Sequence, residues 1–318
     1  MINLKKRAIA VDSELKNQGG AGAYTALIAA VFFWGLSFVA TKVALECFTT
    51  FTLIFARFFL ASCILTALIL RRGLPRLNRK DHAKLFLTAL FQPGLYFTFE
   101  TLGLQHTTAP MASLIIATVP VAVMVTAFLF LGERTGSGSF LGIGLSLAGI
   151  LILVTGDPQV TWILGGRLLG NLLIFGAVIS AALYMVCVRH LGREISALEI
   201  TVMQFIYGTI LFLPVFFLEL PGMQWSAVSS RSLLALAFLV LFATFGGFLC
   251  YNYALTRILA SRAGVFINGI PVVTALGAWA MLGETLTPLQ TGGGLLVLCG
   301  VYLTNRMGAK KSIRPENA

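Results

Sequence analysis

Leu131-Gly132-Glu133 and Leu282-Gly283-Glu284 are the same tripeptide, 151 residues apart in the chain. Two apolar segments often share Leu and Ala, but a Gly-Glu pair shared together with other rare residues indicates an internal repeat. At the same shift, further residues recur: Ala109 and Ala260, Ala112 and Ala263, Pro120-Val121 and Pro271-Val272, Gly142 and Gly293, and Gly149 and Gly300. The sequence is therefore predicted to contain a duplication.

The composition around these repeats indicates a membrane protein. Of 318 residues, 58% are hydrophobic and 11% are charged, with a mean hydropathy of +0.90. Soluble domains carry about 25% charged residues, so a soluble enzyme, a disordered tail and a secreted disulfide-rich domain are excluded. Apolar runs near 20 residues fit helices that cross about 30 Å of hydrocarbon, and the alternation of a membrane barrel is missing. We predict an all-α integral membrane protein with ten spans: 22–44, 51–70, 83–104, 108–131, 140–155, 168–188, 197–219, 232–256, 259–282 and 288–305.

The distribution of basic residues predicts the topology. Of the 23 Lys and Arg residues, nineteen fall on the same side of the membrane as the N-terminal tail. Three residues, Lys42, Arg167 and Arg231, fall on the other side, and Arg57 lies inside a span. The positive-inside rule then places both termini in the cytoplasm and makes the first span an uncleaved signal. The net charge of +11 thus reflects topology and contact with membrane lipids, and not nucleic acid, because the basic residues are scattered over short loops.

Five spans per half make the two halves inverted relative to each other, an arrangement typical of secondary transporters with a site near the midplane. The predicted organisation is a cytoplasmic tail at 1–21, a first five-helix repeat at 22–156, an external loop at 157–167, a second repeat at 168–306 and a cytoplasmic tail at 307–318. Near the start of each half the shift becomes 147, with an insertion at 221–225.

Motifs in both halves carry a resemblance that covers residues 22–306. In the first half they are Trp34-Gly35-x-Ser37-Phe38, Arg57-Phe58 and Ala109-x-x-Ala112, and the second half repeats Pro271, Leu282-Gly283-Glu284 and the glycine pair. With the five-plus-five duplication, the chain resembles the drug/metabolite transporter superfamily, EamA type. This resemblance implies a cytoplasmic-membrane carrier that exports amino acids or other small metabolites. The two halves differ at one of these motifs, because the second half has Ala181-Ala182 where the first half has Trp34-Gly35.

Polar and aromatic residues within the spans predict the path of the solute. Gln92 and Asn268 are amides at mid-membrane depth, where an unpartnered amide is costly unless water, a solute or another helix satisfies it. The predicted path runs between the third, fourth, eighth and ninth spans, with hinges where Pro or Gly-Gly interrupts them. A kink satisfied by neighbouring helices is the alternative for Gln92-Pro93. The predicted path residues are Trp34, Gln92, Tyr96, Thr118, Tyr184, Asn252 and Asn268, and the predicted hinges are Pro93, Pro120, Gly246, Gly247 and Pro271.

Three ionisable residues form a predicted outer charged cluster, namely Lys42, Arg57 and Glu100. Arg57 and Glu100 lie at similar depth, so a structural ion pair and a role in solute recognition both remain open. The two Gly-Glu pairs are interpreted as a left-handed helix end followed by an interfacial anchor.

Other functions lack their motifs. A Walker A sequence and a prenyl-diphosphate-type aspartate cluster are missing, and His82, His106 and His190 stand apart from other metal-binding side chains. We therefore expect no enzyme activity, no cofactor and no metal site, and five cysteines that act as packing residues. A channel or a flippase for lipids or small molecules is the alternative to a carrier, and the choice between monomer and homodimer stays open.

Overall fold

The structure is a computed structural model that describes residues 20–70, 77–131, 137–160, 166–191, 195, 197–255 and 266–311. Within these residues the regular structure is helical, which confirms the predicted fold class. Six helices are long and apolar enough to cross a membrane, judged by length and composition, and three shorter apolar stretches occur at Phe140–Thr155, Ile270–Leu282 and Pro288–Thr304. Residues 1–19 and 312–318 of the two predicted tails, Glu133 and the Ala260 to Ala263 motif lie outside the described residues.

The described residues form ten helical elements that correspond to the ten predicted spans. Their ends differ from the predicted ends by four residues or fewer, except that the predicted start of the ninth span is not described and the last helix continues beyond residue 305. The elements are α1 Gly20–Ala44, α2 Thr50–Leu70, α3 at 79–106, α4 at 109–131, α5 Ser137–Thr155, α6 Gly166–Leu191, α7 Ala197–Glu219, α8 at 230–255, α9 at 266–282 and α10 Pro288–Lys311.

The helices pair in a symmetric pattern. The first helix of each repeat packs against the third and fourth helices of the other repeat, so α1 contacts α8 and α9 while α6 contacts α3 and α4. The second helices, α2 and α7, pack against each other, and so do the fifth, α5 and α10. This exchange of equivalent contacts is what two inverted copies of one five-helix unit produce. The loops at 45–49, 107–108, 156–160, 220–229 and 283–287 share one end of the bundle, which we call the predicted outer end.

Four helices are interrupted at equivalent positions of the two repeats. In α3 a π-helical segment, Leu90–Leu95, precedes the α-helical segment that begins at Tyr96, and in α8 the π-helical Leu239–Gly246 precedes the one that begins at Gly247. The two segments end at positions related by the 151-residue shift. A turn at 117–118 divides α4, and a turn at 268–269 divides α9 at the same shift. The four helices that the sequence predicts to border the solute path, α3, α4, α8 and α9, are therefore the ones in which the regular α-helical hydrogen bonding is interrupted.

The α5–α10 contact depends on glycine. A Cβ at Gly149 would lie 2.8 Å from the carbonyl oxygen of Gly293, and one at Gly293 would lie 2.9 Å from that of Gly149. Gly142 and Gly300 face each other in the same way, at 2.7 Å in both directions. The backbones of the two helices thus approach as closely as small residues allow, which is the usual basis of tight packing between membrane helices.

We expect Gly293→Ala to destabilise the protein by about 1–3 kcal/mol, because its methyl group would overlap backbone atoms that cannot move aside cheaply. Its neighbour Gly292 is the matched control, since a Cβ there meets nothing within 4 Å. Gly292→Ala should leave the stability unchanged or raise it slightly, as alanine favours a helix over glycine. The midpoint of thermal unfolding of both purified variants measures this difference. Equal midpoints would contradict the role of glycine in this contact.

Candidate functional site

Arg57 is buried within the bundle and joins the two repeats. Its side chain comes from α2 and is 7% exposed. Its Nε donates a hydrogen bond to Oγ1 of Thr244 at 2.8 Å, and Thr244 belongs to the π-helical segment of α8. The guanidinium carbon lies 4.6 Å from the ring centroid of Phe97, which provides a cation–π contact. A cation that is expensive in hydrocarbon is thus held by a hydroxyl and an aromatic face.

Glu100 supplies the opposite charge but does not pair with Arg57 directly. It lies on α3 one turn after Phe97, is 4% exposed, and interacts electrostatically with Arg57. No N···O contact within 4.0 Å joins the two described side chains, and Oε2 of Glu100 is buried without a hydrogen-bond partner in the described structure. The direct ion pair considered from the sequence is therefore not formed in this structure.

Tyr96 connects this charged pair to the rest of the core. Its side chain is half-buried, packs edge-on against Phe97, and lies within electrostatic range of both Arg57 and Glu100. It also packs against both of the larger hydrophobic clusters of the protein, one around α2, α7 and α8 and the other around α4, α6 and α10. Of the predicted path residues, Tyr96 is the one that the structure brings next to the charges.

Trp34 binds to the interrupted region of α8. Its Nε1 donates to the carbonyl oxygen of Ala243 at 3.0 Å, and a Cβ at Gly247 would lie 2.5 Å from that nitrogen. Tyr251 and Phe248 pack against its ring with centroids 5.1 and 5.7 Å away. The Gly-Gly pair predicted as a hinge thus also makes room for an indole, because any side chain at 247 would collide with it.

The two mid-membrane amides occupy interruptions of different helices. Gln92 has an extended backbone (φ −145°, ψ 116°) inside the π-helical segment of α3, before a cis bond to Pro93. Asn268 forms the turn that divides α9, and Thr118 occupies the corresponding turn of α4. Thr118 donates to the carbonyl oxygen of Ile115 at 2.6 Å, whereas no described residue hydrogen-bonds to the side chain of Gln92 or Asn268.

The remaining predicted positions have protein neighbours. Pro93 packs against Gly208 of α7, where a Cβ would lie 2.4 Å from its ring, and Pro120 and Pro271 start the second halves of α4 and α9. Tyr184 donates to Oε1 of Gln204 at 2.9 Å, a partner that the sequence analysis did not identify. The side chain of Asn252 lies outside the described residues.

Lys42 lies apart from the other two members of the predicted charged cluster. At the predicted outer end its Nζ forms an ion pair with Oε1 of Glu284 and donates to the carbonyl oxygen of Thr107 at 2.8 Å. The second carboxylate oxygen of Glu284 accepts from the backbone N–H of Ala109 at 2.8 Å, at the start of α4. Gly283, just before, has φ +67°, the left-handed helix end predicted from its sequence. Glu284 therefore joins the two repeats, in addition to marking the end of α9.

A second carboxylate acts in the same way at this end. Glu219, the last residue of α7, accepts hydrogen bonds from the backbone N–H groups of Phe51 and Thr52 at 2.9 Å. A carboxylate at a helix start satisfies N–H groups that have no helical partner and interacts favourably with the helix dipole. The sequence analysis missed Glu219. Thr49 and Thr50, which mark the start of α2, were the available signal for a capped helix there.

Metal binding has no support in the described part of the chain, where no group of three or more His, Cys, Asp or Glu side chains is placed to hold an ion. The site combines a buried cation, a buried carboxylate and two amides without a hydrogen-bond partner among the described residues, inside interrupted helices of a bundle built from two repeats. These features, in a bundle of two repeats, are those of a polytopic membrane protein.

Comparison with known proteins agrees with this class. Residues 21–155 and 168–306 each match the EamA-like transporter family, and the chain belongs to that family. An uncharacterized transporter of Archaeoglobus fulgidus is 29% identical over 277 residues, covering 87% of this chain and 96% of its own length. A probable terminal-alkyne amino-acid exporter of Streptantibioticus cattleyicolor is 25% identical over 281 residues, covering 88% and 92%. A solved crystal structure with 16% identity superposes with a TM-score of 0.64 over 91% of this chain and 98% of the other, which shows the same fold. The protein is thus a multi-pass membrane transporter.

Proposed function

We propose that the protein is a secondary carrier that moves small amphipathic solutes, amino acids among them, out of the cell by alternating access. The observation that carries this proposal is the matched interruption of α3 with α8 and of α4 with α9. Interrupted helices supply joints and free backbone groups at mid-depth, and two inverted copies can exchange conformations to open either face. Amino-acid export is suggested by the name of the Streptantibioticus cattleyicolor relative.

The contacts at the predicted outer end support a closed state on that side. Lys42 and Ala109 of the first repeat both bind Glu284 of the second, and Glu219 of the second binds the start of α2 in the first. These bonds must break before the two repeats can separate there. We propose that they stabilise the outward-closed conformation.

Counterflow in proteoliposomes tests the proposed function. Purified protein would be reconstituted in liposomes preloaded with one unlabelled amino acid, vitamin or cationic drug at a time, and uptake of the labelled solute would be followed. A carrier shows saturable uptake that is accelerated by unlabelled solute on the opposite side. A linear, unaccelerated flux with single-channel currents would instead favour the channel, the alternative function for this fold.

We further propose that the protein resides in the cytoplasmic membrane with both termini inside, a topology that follows from the nineteen-to-three distribution of basic residues. A reporter fused after Arg314 should be active only in the form that reads a cytoplasmic location. A reporter inserted at 221–224 should read the outside. An external carboxyl terminus would contradict the ten-span topology.

A further inference from the structure

We propose that Arg57 and Glu100 form a binding site for a solute that carries a carboxylate and an ammonium group on the same small unit, as a free amino acid does. This inference rests on the proposed carrier function and assigns the recognition of the solute to specific residues. In the bound state Arg57 binds the carboxylate and Glu100 binds the ammonium group.

The charges of Arg57 and Glu100 are both buried and are not joined to each other. Arg57 is 7% exposed and Glu100 is 4% exposed, yet no direct ion pair joins them. Separated charges in a poorly solvated interior cost several kcal/mol each unless further partners satisfy them. A zwitterion placed between them supplies a partner of the correct sign to each.

The two side chains also offer hydrogen-bonding groups to a solute. Oε2 of Glu100 has no partner in the described structure, although it is buried. Arg57 uses its Nε for the hydrogen bond to Thr244, and its two terminal guanidinium nitrogens carry four further N–H donors. These terminal nitrogens form the planar fork that binds carboxylates in a bidentate manner.

Arg57 and Glu100 also lie beside the interrupted segments of α3 and α8. Arg57 contacts Thr244 in the π-helical segment of α8, and Phe97 and Glu100 follow the π-helical segment of α3. Thr244 also borders a cavity of about 50 Å³ between α2, α7 and α8, lined by Thr201 and by apolar side chains such as Phe205, Phe245 and Phe248. This volume holds a few water molecules at most. A solute therefore enters when the repeats separate and the Arg57–Thr244 bond opens, and the aromatic surfaces then contact its side chain.

Ligand-induced thermal stabilisation of the full-length, detergent-purified protein tests the inference. Each of the twenty L-amino acids is added at 10 mM, and every one that raises the unfolding midpoint is compared with its amide, which lacks the carboxylate, and its N-acetyl derivative, which lacks the ammonium group. We expect at least one amino acid to stabilise the protein, with both derivatives binding about tenfold to a hundredfold more weakly, the loss that follows when a charged hydrogen bond is removed. This comparison uses the unmodified protein and does not depend on any variant folding.

Charge-neutral variants should show reciprocal selectivity. Glu100→Gln should bind the N-acetyl derivative as well as the parent amino acid, and Arg57→Gln should bind the amide as well as the parent. Glu46→Gln and Arg231→Gln are the matched controls, since these two side chains form an exposed pair at the predicted outer end, 47% and 55% exposed. Both controls should keep the selectivity of the unmodified protein.

Two results would overturn the inference. One is a protein that shows saturable counterflow of another solute but is stabilised by none of the amino acids. The other concerns stability: both single variants lose it, and the double variant, Arg57→Gln with Glu100→Gln, regains it while amino-acid binding is retained. This is the behaviour of a structural pair. Failure of counterflow for every solute would instead contradict the carrier function itself.

Discussion

Asn268→Leu is expected to abolish transport, with counterflow at least tenfold slower, while the protein folds and expresses normally. The substitution keeps the approximate size of the side chain and removes its donor and its acceptor. Since no described residue hydrogen-bonds to this amide, its loss leaves no buried partner unsatisfied, and the stability should change little. What is lost is a polar contact with water or solute in the interruption of α9.

The measurement is initial counterflow rate per reconstituted molecule, with the unfolding midpoint recorded on the same preparation. Asn268→Gln is the matched control, because it keeps the amide and should retain a measurable share of the rate. Asn268→Leu with full transport would remove Asn268 from the path. A large fall in the midpoint would show instead that the amide has a structural partner.

Glu284→Gln is expected to weaken the closure of the predicted outer end. Removing one charge of the Lys42–Glu284 pair leaves the ammonium group of Lys42 without its counterion. Both side chains are partly buried, since that of Lys42 is 23% exposed and that of Glu284 is 15% exposed. The loss of a charged hydrogen bond is worth about 1.5–3 kcal/mol. The ratio of open to closed protein should therefore rise roughly tenfold or more, and transport should change with it.

A cysteine at position 111, which is fully buried one turn inside α4, reports this opening in a background without the five native cysteines. Its reaction rate with a membrane-impermeant thiol reagent added from outside should rise about tenfold in Glu284→Gln. Glu46→Gln is the control, because the Arg231–Glu46 pair at the same end is exposed and weak. If the cysteine reacts at the same rate with Glu284 unchanged, in Glu284→Gln and in Glu46→Gln, Glu284 has no role in closing this end.

The sequence predicted the interrupted helices because proline and paired glycine act locally. Pro93, Pro120 and Pro271 each remove a backbone donor, and the structure interrupts α3, α4 and α9 beside them. In α8 the Gly-Gly pair indicated a flexible position at 246–247, and the π-helical segment ends at Gly246. The duplication could be read directly, since rare residues recur at a constant shift.

The partners of the charged residues could not be predicted in the same way. Lys42 and Glu284 are 242 positions apart, and only the packing of α9 on α1 and α4 brings them together. Similar depth in the membrane suggested a pair for Arg57 and Glu100, but the guanidinium instead contacts the ring of Phe97 and the hydroxyl of Thr244. Such choices between partners depend on tertiary contacts that periodicity and spacing do not contain.

We propose that one solute path runs between the interrupted helices of both repeats. The structure gives Gln92 and Asn268 different neighbours, since α9 packs on α1 and α4 while the π-helical segment of α3 packs on α6 and α7. Single cysteines at 92 and 268, in protein that still transports, provide the most direct test. We expect both cysteines to react with a small water-soluble thiol reagent, and the same saturating solute, identified by counterflow, to slow both reactions. Inertness of both cysteines, or protection of neither, would place the path elsewhere in the bundle.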